Sequence, residues 1–167
     1  MRRYLLPLFV VLLSGAVVFI IATSASLPER VASHFVRGGE ANGWMPRATY
    51  IAFILGVAVL LPLILVVLMA WLPRGFPRAV NLPNRDYWLD SERRDATLAS
   101  LSAFALSFGS VLSVLIAGLH WAVVHANASQ PPVLAESTVN SLLAAFAIAI
   151  GVWILAWYLR FRRPRSR

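Results

Sequence analysis

The sequence predicts an all-α integral membrane protein: four transmembrane helices with a structured extracytoplasmic loop between helices 1 and 2, forming one polytopic domain over residues 1–167. Three observations carry that prediction. Hydrophobic residues make up 59% of the chain and charged residues 13%, with a mean hydropathy of +0.73, whereas soluble globular proteins carry about 25% charged residues. The apolar residues gather into four runs, each close to the ~20 residues that cross roughly 30 Å of hydrocarbon. Arginines fall between the runs, and no arginine or acidic residue lies at the centre of any of them.

The first run, 4–25, follows Arg2 and Arg3 and reaches about 33 Å at 1.5 Å per residue. It exceeds the roughly 7 to 15 apolar residues of a secretory signal, so it reads as a retained helix. The loop 26–47 is polar and rich in turn residues. Ser26 with Glu29 fits a capping box and Pro28 suits a first helical turn, which predicts a short helix leaving the membrane. Gly38-Gly39 and Asn42-Gly43 are turn pairs, the second suited to a two-residue hairpin connection between short extended segments. Phe35 and Trp44 would pack this loop onto the membrane surface or the helix ends, making a folded cap rather than a flexible linker.

The second run, 48–72, holds Pro62 near its middle, where the missing amide and the ring clash predict a kink. A loop over 73–96 follows. Asp90, Ser91 and Glu92 supply acceptors and negative charge for the start of the third helix, ahead of its apolar run at 97–124. That run is the longest and requires tilt or an extension into water. The loop 125–138 is tight and makes the third and fourth helices antiparallel neighbours. The fourth run, 139–159, ends in Trp153, Trp157 and Tyr158, residues suited to an interfacial belt, and the tail 160–167 is rich in arginine.

All 15 basic residues are arginine and the net charge is +8. Two arginines precede the first run, five lie in the second loop and five in the tail, against three in the first loop and none in the third. The positive-inside rule therefore places both termini and the second loop in the cytoplasm of a bacterial inner membrane, and the loop 26–47 outside. Topology and contact between the arginine-rich tail and anionic headgroups, worth about 1 kcal/mol per arginine, account for the charge. Nucleic acid is not needed as a partner.

Within the runs, Gly109, Ser113 and Ala117 recur every four residues, as do Ser141, Ala145 and Ala149. Such small stripes let helices approach closely, either inside one bundle or across a homo- or hetero-oligomer seam. Ser100, Ser102, Ser107, Ser110 and Ser113 line up as a polar route or as backbone-bonding hydroxyls. The absence of central charged residues speaks against a pump.

The chain has no cysteine. His34, His120, His125 and Glu136 are the residue types of a zinc site, but His120 and His125 are about 140° apart on a helix. With no nucleophile motif or phosphate loop either, the sequence predicts no enzyme, no catalytic residue, no metal and no cofactor.

The order Pro28, His34-Phe35, Gly39-Glu40, Asn42-Gly43-Trp44 and Arg47 resembles the bacterial membrane domain of unknown function at the N-terminus of SdpI-type immunity proteins. Asn81-Leu82-Pro83-Asn84-Arg85-Asp86-Tyr87-Trp88-Leu89, followed by Glu92-Arg93-Arg94 and Thr97, resembles the second signature of that domain. Val36 stands where asparagine often follows the His-Phe pair, and Asn42 where aspartate is common. SdpI-type proteins confer immunity to a secreted peptide toxin and relay its presence to a cytoplasmic repressor. Against that family's full-length type, the expectation from four helices is a chain that lacks the further membrane domain. The resemblance implies a non-enzymatic protein that binds, senses or gives immunity toward an extracytoplasmic ligand or peptide; the alternative is a small accessory or structural subunit of a larger membrane complex. The candidate ligand- or partner-binding residues outside are His34, Phe35, Gly39, Glu40, Asn42, Gly43 and Trp44. Inside, Asn81, Pro83, Asn84, Arg85, Asp86, Tyr87 and Trp88 either dock a partner or close a tight loop, with Tyr87, Trp88 and Leu89 as a headgroup-level anchor.

Overall fold

The computed structural model describes residues 4–77 and 80–162. Arg2, Arg3, Arg78 and the tail arginines Arg163, Arg165 and Arg167, with the lipid contacts expected of them, lie outside the described residues. Seven elements follow one another: α1 (Leu5–Ser24), β1 (Arg30–Phe35), β2 (Ala41–Pro46), α2 (Arg47–Gly75), α3 (Arg85–Trp88), α4 (Arg94–Ala126) and α5 (Glu136–Phe161). Helices α1, α2, α4 and α5 are long and apolar enough to cross a membrane, the signature of a multi-pass membrane protein. Strands β1 and β2 form an antiparallel hairpin at one end of the bundle.

Helix α4 is the centre of the bundle, packed by α1, α2 and α5. Its small residues explain why. A Cβ on Gly109 would lie 2.6 Å from Val66 Cγ2 and 2.8 Å from Phe9 Cε2, so glycine admits α1 and α2 together. Ser113 is fully buried one turn further on, and the stripe on this helix is an intramolecular seam. Beside it, Ile20, Leu27, Val31, Tyr50, Ile54, Ala58, Leu112 and Ile116 form one buried cluster that joins three helices to the base of the hairpin. The serine hydroxyls of α4 turn back on their own helix: Ser100, Ser102, Ser110 and Ser113 donate to the carbonyl four residues earlier and Ser107 to the one three earlier, at 2.8–2.9 Å. Hydroxyls bonded in this way have their protons satisfied without water, the backbone-bonding alternative for this serine row.

Helix α5 packs chiefly on α4. Gly118 makes room for Leu142, whose Cδ2 would be 2.8 Å from an added Cβ. The Trp153 indole N–H donates to the Phe104 carbonyl at 3.0 Å, and Trp153 and Trp157 stack on each other and meet Phe104 edge-on. These two half-buried tryptophans hold α5 to α4, and Tyr158, 60% exposed, keeps an outward position. Ser141 and Ala145 of the second small stripe are exposed, and Ala145 and Ala149 line a crevice of about 450 Å³ between α1, α4 and α5.

Three local expectations are corrected. No helix follows α1: the chain turns after Ser24, the Ser26 hydroxyl bonds back to the Thr23 carbonyl at 2.8 Å instead of capping forward, and β1 begins at Arg30. Helix α4 starts at Arg94, because the Asp90 carbonyl first closes a turn onto the amides of Arg93 (3.0 Å) and Arg94 (2.9 Å). Asn42-Gly43 lies within β2 and is not the hairpin connection. The reversal is made at Gly38 and Gly39, whose φ angles of +96° and +82° suit glycine. Helix α2 runs through Pro62, which is buried, without interruption.

Candidate functional site

The hairpin is short, and two strands alone are marginal in water; its stability has to come from docking. Val31 is fully buried opposite Met45 and enters the core cluster. The free edge of β1 is taken by one side chain. Asn127, the residue capping the end of α4, accepts the Ala32 amide at its Oδ1 (2.8 Å) and donates Nδ2 to the Ala32 carbonyl (2.9 Å) and the Val123 carbonyl (2.9 Å). A single carboxamide thus supplies the donor and acceptor that a third strand would offer. At the hairpin base the Arg47 amide donates to the Glu29 carbonyl (2.8 Å) and its guanidinium to the Leu27 carbonyl (3.0 Å). At the tip, the Leu134 amide donates to the Gly39 carbonyl (2.8 Å), Glu40 bridges Val133, and the Gly38 amide donates to Glu136 Oε1 (2.6 Å). Glu136 sits in the first turn of α5, where its negative charge also suits the helix dipole. All four long helices therefore hold the hairpin in place.

The cap borders a half-open hollow of about 430 Å³ between the hairpin tip and the first turns of α5, lined by Phe35, Val36, Arg37, Gly39, Leu134, Glu136, Val139 and Asn140. Of the seven residues expected in one outer site, Phe35 and Gly39 are in its wall. A Cβ on Gly39 would stand 2.2 Å from the Leu134 carbonyl oxygen, so the close docking of the tip requires glycine. His34, Asn42 and Trp44 are exposed, with His34 Nδ1 donating to Asn42 Oδ1. Gly43 pairs with His34 across a register shift, where an added Cβ would be 2.9 Å from the His34 Cβ. Trp44 and Arg30 line a separate shallow depression. The expected single patch is divided by the hairpin into a cavity wall and an exposed His34-Asn42 pair.

Directly beneath the cap is a buried histidine whose partners are not evident from residue types and spacing. His120 is fully buried between α1, α2 and α4. Its Nε2 is 2.8 Å from Thr23 Oγ1 and its Nδ1 is 2.9 Å from the Tyr50 hydroxyl. The Thr23 hydroxyl proton is directed to the Phe19 carbonyl at 2.7 Å, which leaves Thr23 Oγ1 to accept from Nε2–H and Nδ1 to accept from Tyr50 O–H. One neutral tautomer satisfies every member. The Tyr50 ring stacks on the imidazole at 5.8 Å and Phe19 meets it edge-on at 6.2 Å. A signal existed: eleven residues, about three helical turns, separate His120 from Gly109, and only about 20° of rotation, so it continues the small-residue face. His125 is instead exposed, bonded to the Trp121 carbonyl and against the Trp121 ring. Among the described residues no group of His, Asp and Glu side chains converges as a metal site would require.

At the opposite end, Asn84 adopts a left-handed conformation (φ 53°) and its carbonyl accepts the amides of Tyr87 and Trp88, starting α3. The Trp88 indole donates to the Phe161 carbonyl at 2.8 Å and packs edge-on to the Phe161 ring. Trp88 is thus turned toward the chain's own α5, while Leu82, Leu98, Leu101 and Phe161 form a second buried cluster. The Arg93 guanidinium covers the Tyr87 ring at 4.3 Å and pairs with Asp90 at 2.8 Å. The Ser91 hydroxyl, with the Glu92 amide and Arg93 acting in the same direction, holds the Asp90 carboxyl below its ordinary value. Asn81, Pro83 and Asp86 remain exposed, and Arg85 pairs with Asp86 at 3.3 Å. No protein-family model, curated protein or solved structure matches the chain.

Proposed function

We propose that this chain is a non-enzymatic bacterial inner-membrane protein, similar to the SdpI-like domain, that binds or senses an extracytoplasmic ligand or peptide at the hairpin cap, with both termini in the cytoplasm. The observation that carries the reading is the construction of the cap: a hairpin fastened to all four long helices, walling a cavity of about 430 Å³ with Arg37, Glu136 and Asn140 beside Phe35 and Val36. The lining is mainly polar, with Phe35, Leu134 and Val139 as its apolar part, which suits an extended polar ligand such as a peptide, and a preformed site loses less entropy on binding. The arginine distribution supports the cap facing outward.

The chain's lack of cysteine makes the test direct. A cysteine at Arg37 should react with a membrane-impermeant maleimide in intact cells, and one at Asp86 only after permeabilisation. The opposite pattern overturns the topology. Purification from native membrane should then recover a secreted peptide with the wild-type chain and lose it when Glu136 and Asn140 are both replaced by alanine.

A second reading, the accessory subunit, is favoured by α5. This helix lies against α4 alone among its main contacts and leaves the crevice lined by Ala145 and Ala149 open toward α1. Recovery of a stoichiometric membrane protein, crosslinked through a cysteine at Ala145, would favour that reading over the first.

A further inference from the structure

At the end of the bundle away from the hairpin, α1, α2 and α4 enclose a groove of about 290 Å³, lined by Leu6, Val66, Ala70, Trp71 and Leu106, with Arg74 and Ser102 nearest the helix termini. Arg74 lies in the last turn of α2, just past its apolar run. Its guanidinium donates to the Ala70 carbonyl and, at 3.0 Å, to Ser102 Oγ, whose own proton goes to the Leu98 carbonyl. Arg94 donates to the Arg74 carbonyl at 3.3 Å, which brings a second guanidinium to the same rim. Of the neighbouring carboxylates, Asp90 and Glu92 face Arg93 and Asp86 faces Arg85, while Asp95, beside Arg94 in the first turn of α4, is exposed and forms no ion pair among the described residues. Arg74 and Arg94 make no ion pair among the described residues.

We propose that this groove is a binding site for one anionic phospholipid, with an acyl chain along Leu6, Val66, Ala70 and Leu106 and the phosphate on Arg74 and Arg94. The proposal rests on the membrane-spanning reading, and charge complementarity selects the occupant. Two guanidinium groups without carboxylate partners match phosphate oxygens in charge and in the geometry of their paired donors. They stand where α2 leaves its apolar run, beside Trp71, which is 70% exposed and of the type that settles at headgroup level. A soluble anion would use the arginines and leave the apolar groove unfilled.

Native mass spectrometry of the purified full chain, presented with phosphatidylglycerol or phosphatidylcholine of identical acyl chains, tests the site. Wild type should retain one phosphatidylglycerol with a preference of roughly thirtyfold, about fivefold for each arginine. Arg74→Gln with Arg94→Gln should abolish the preference, and Ala70→Leu, which fills the groove, should weaken both lipids. Arg85→Gln, removing a cation at the same end, should leave the preference unchanged. Equal retention of the two lipids by wild type, a loss in Arg85→Gln as large as in the double variant, or an adduct of inorganic phosphate without lipid would overturn the site. Alkaline carbonate extraction separates the two claims: a chain that stays in the membrane but shows no headgroup preference refutes the lipid site alone, and a chain that washes out refutes the membrane reading as well.

Discussion

Replacing Asn127 with alanine should release the hairpin from the bundle. The substitution removes two hydrogen bonds to the backbone of Ala32, a residue with no exposed surface, together with the bond to the Val123 carbonyl. A hydrogen bond contributes about 0.5–1.5 kcal/mol net, and a buried backbone group left without a partner costs about 1–3 kcal/mol. Water can reach this end of the molecule once the carboxamide is gone, so the lower part of that range applies to each group and the total comes to about 2–4 kcal/mol. Asn127→Asp is the informative companion. It keeps an acceptor for the Ala32 amide but sets a carboxylate oxygen against the Ala32 carbonyl, and should be no better than alanine. The assay is amide hydrogen exchange of the purified chain in lipid nanodiscs. Protection at Ala32 should fall by about 30- to 1000-fold in Asn127→Ala, while amides in the middle of α4 stay protected. Unchanged protection at Ala32 would refute the view that one side chain replaces a third strand.

Three further outcomes follow from the same geometry. His120→Leu leaves the Tyr50 hydroxyl without its partner, and adding Tyr50→Phe should recover part of the lost stability; a double-mutant cycle on thermal unfolding in detergent should give a coupling of about 0.5–2 kcal/mol, and zero coupling would mean the hydrogen bond is not formed. Gly38 and Gly39 share a positive φ, but only a Cβ on Gly39 meets the Leu134 carbonyl, at 2.2 Å, so Gly39→Ala should cost about 1–3 kcal/mol more than Gly38→Ala in the same unfolding assay. The depressed Asp90 carboxyl makes its partners' contribution to the turn before α4 present above the ordinary carboxylate pKa of about 3.9 and lost as pH falls through the lower folded value. The carboxyl carbon of Asp90, followed by NMR, should titrate below a model peptide, and the Arg93 side-chain resonances should move with it; a midpoint at the peptide value would contradict the Ser91 and Arg93 contacts.

The helices were legible because partition into hydrocarbon depends on composition summed over about 20 residues, and each long helix ends within three residues of an apolar run. The glycine pair of the hairpin turn was legible for a local reason, since positive φ at successive positions selects glycine. The register was not. Asn42-Gly43 carries the stronger local turn signal, but Gly39 has to lie flat against the Leu134 carbonyl, a contact with a residue 95 positions away. The same limit hid the partners of Asn127 and His120, whose hydrogen bonds reach 95 and 97 residues back along the chain. In a membrane bundle the buried face is no more apolar than the lipid-facing one, so the packing of Trp153 and Trp157 on Phe104 is not evident in the sequence.

Recognition at the cap is what the proposed function requires. The most direct measurement attaches one environment-sensitive fluorophore through a cysteine at Arg37, on the cavity wall, and in a separate sample at Asp86, 93% exposed at the other end. Both are titrated in nanodiscs with the secreted peptide fraction of the producing cells. The Arg37 probe should respond saturably, the response should weaken in a correctly folded chain with Glu136→Ala and Asn140→Ala on the same wall, and the Asp86 probe should stay silent. A saturable response at Asp86 with none at Arg37 would contradict the claim.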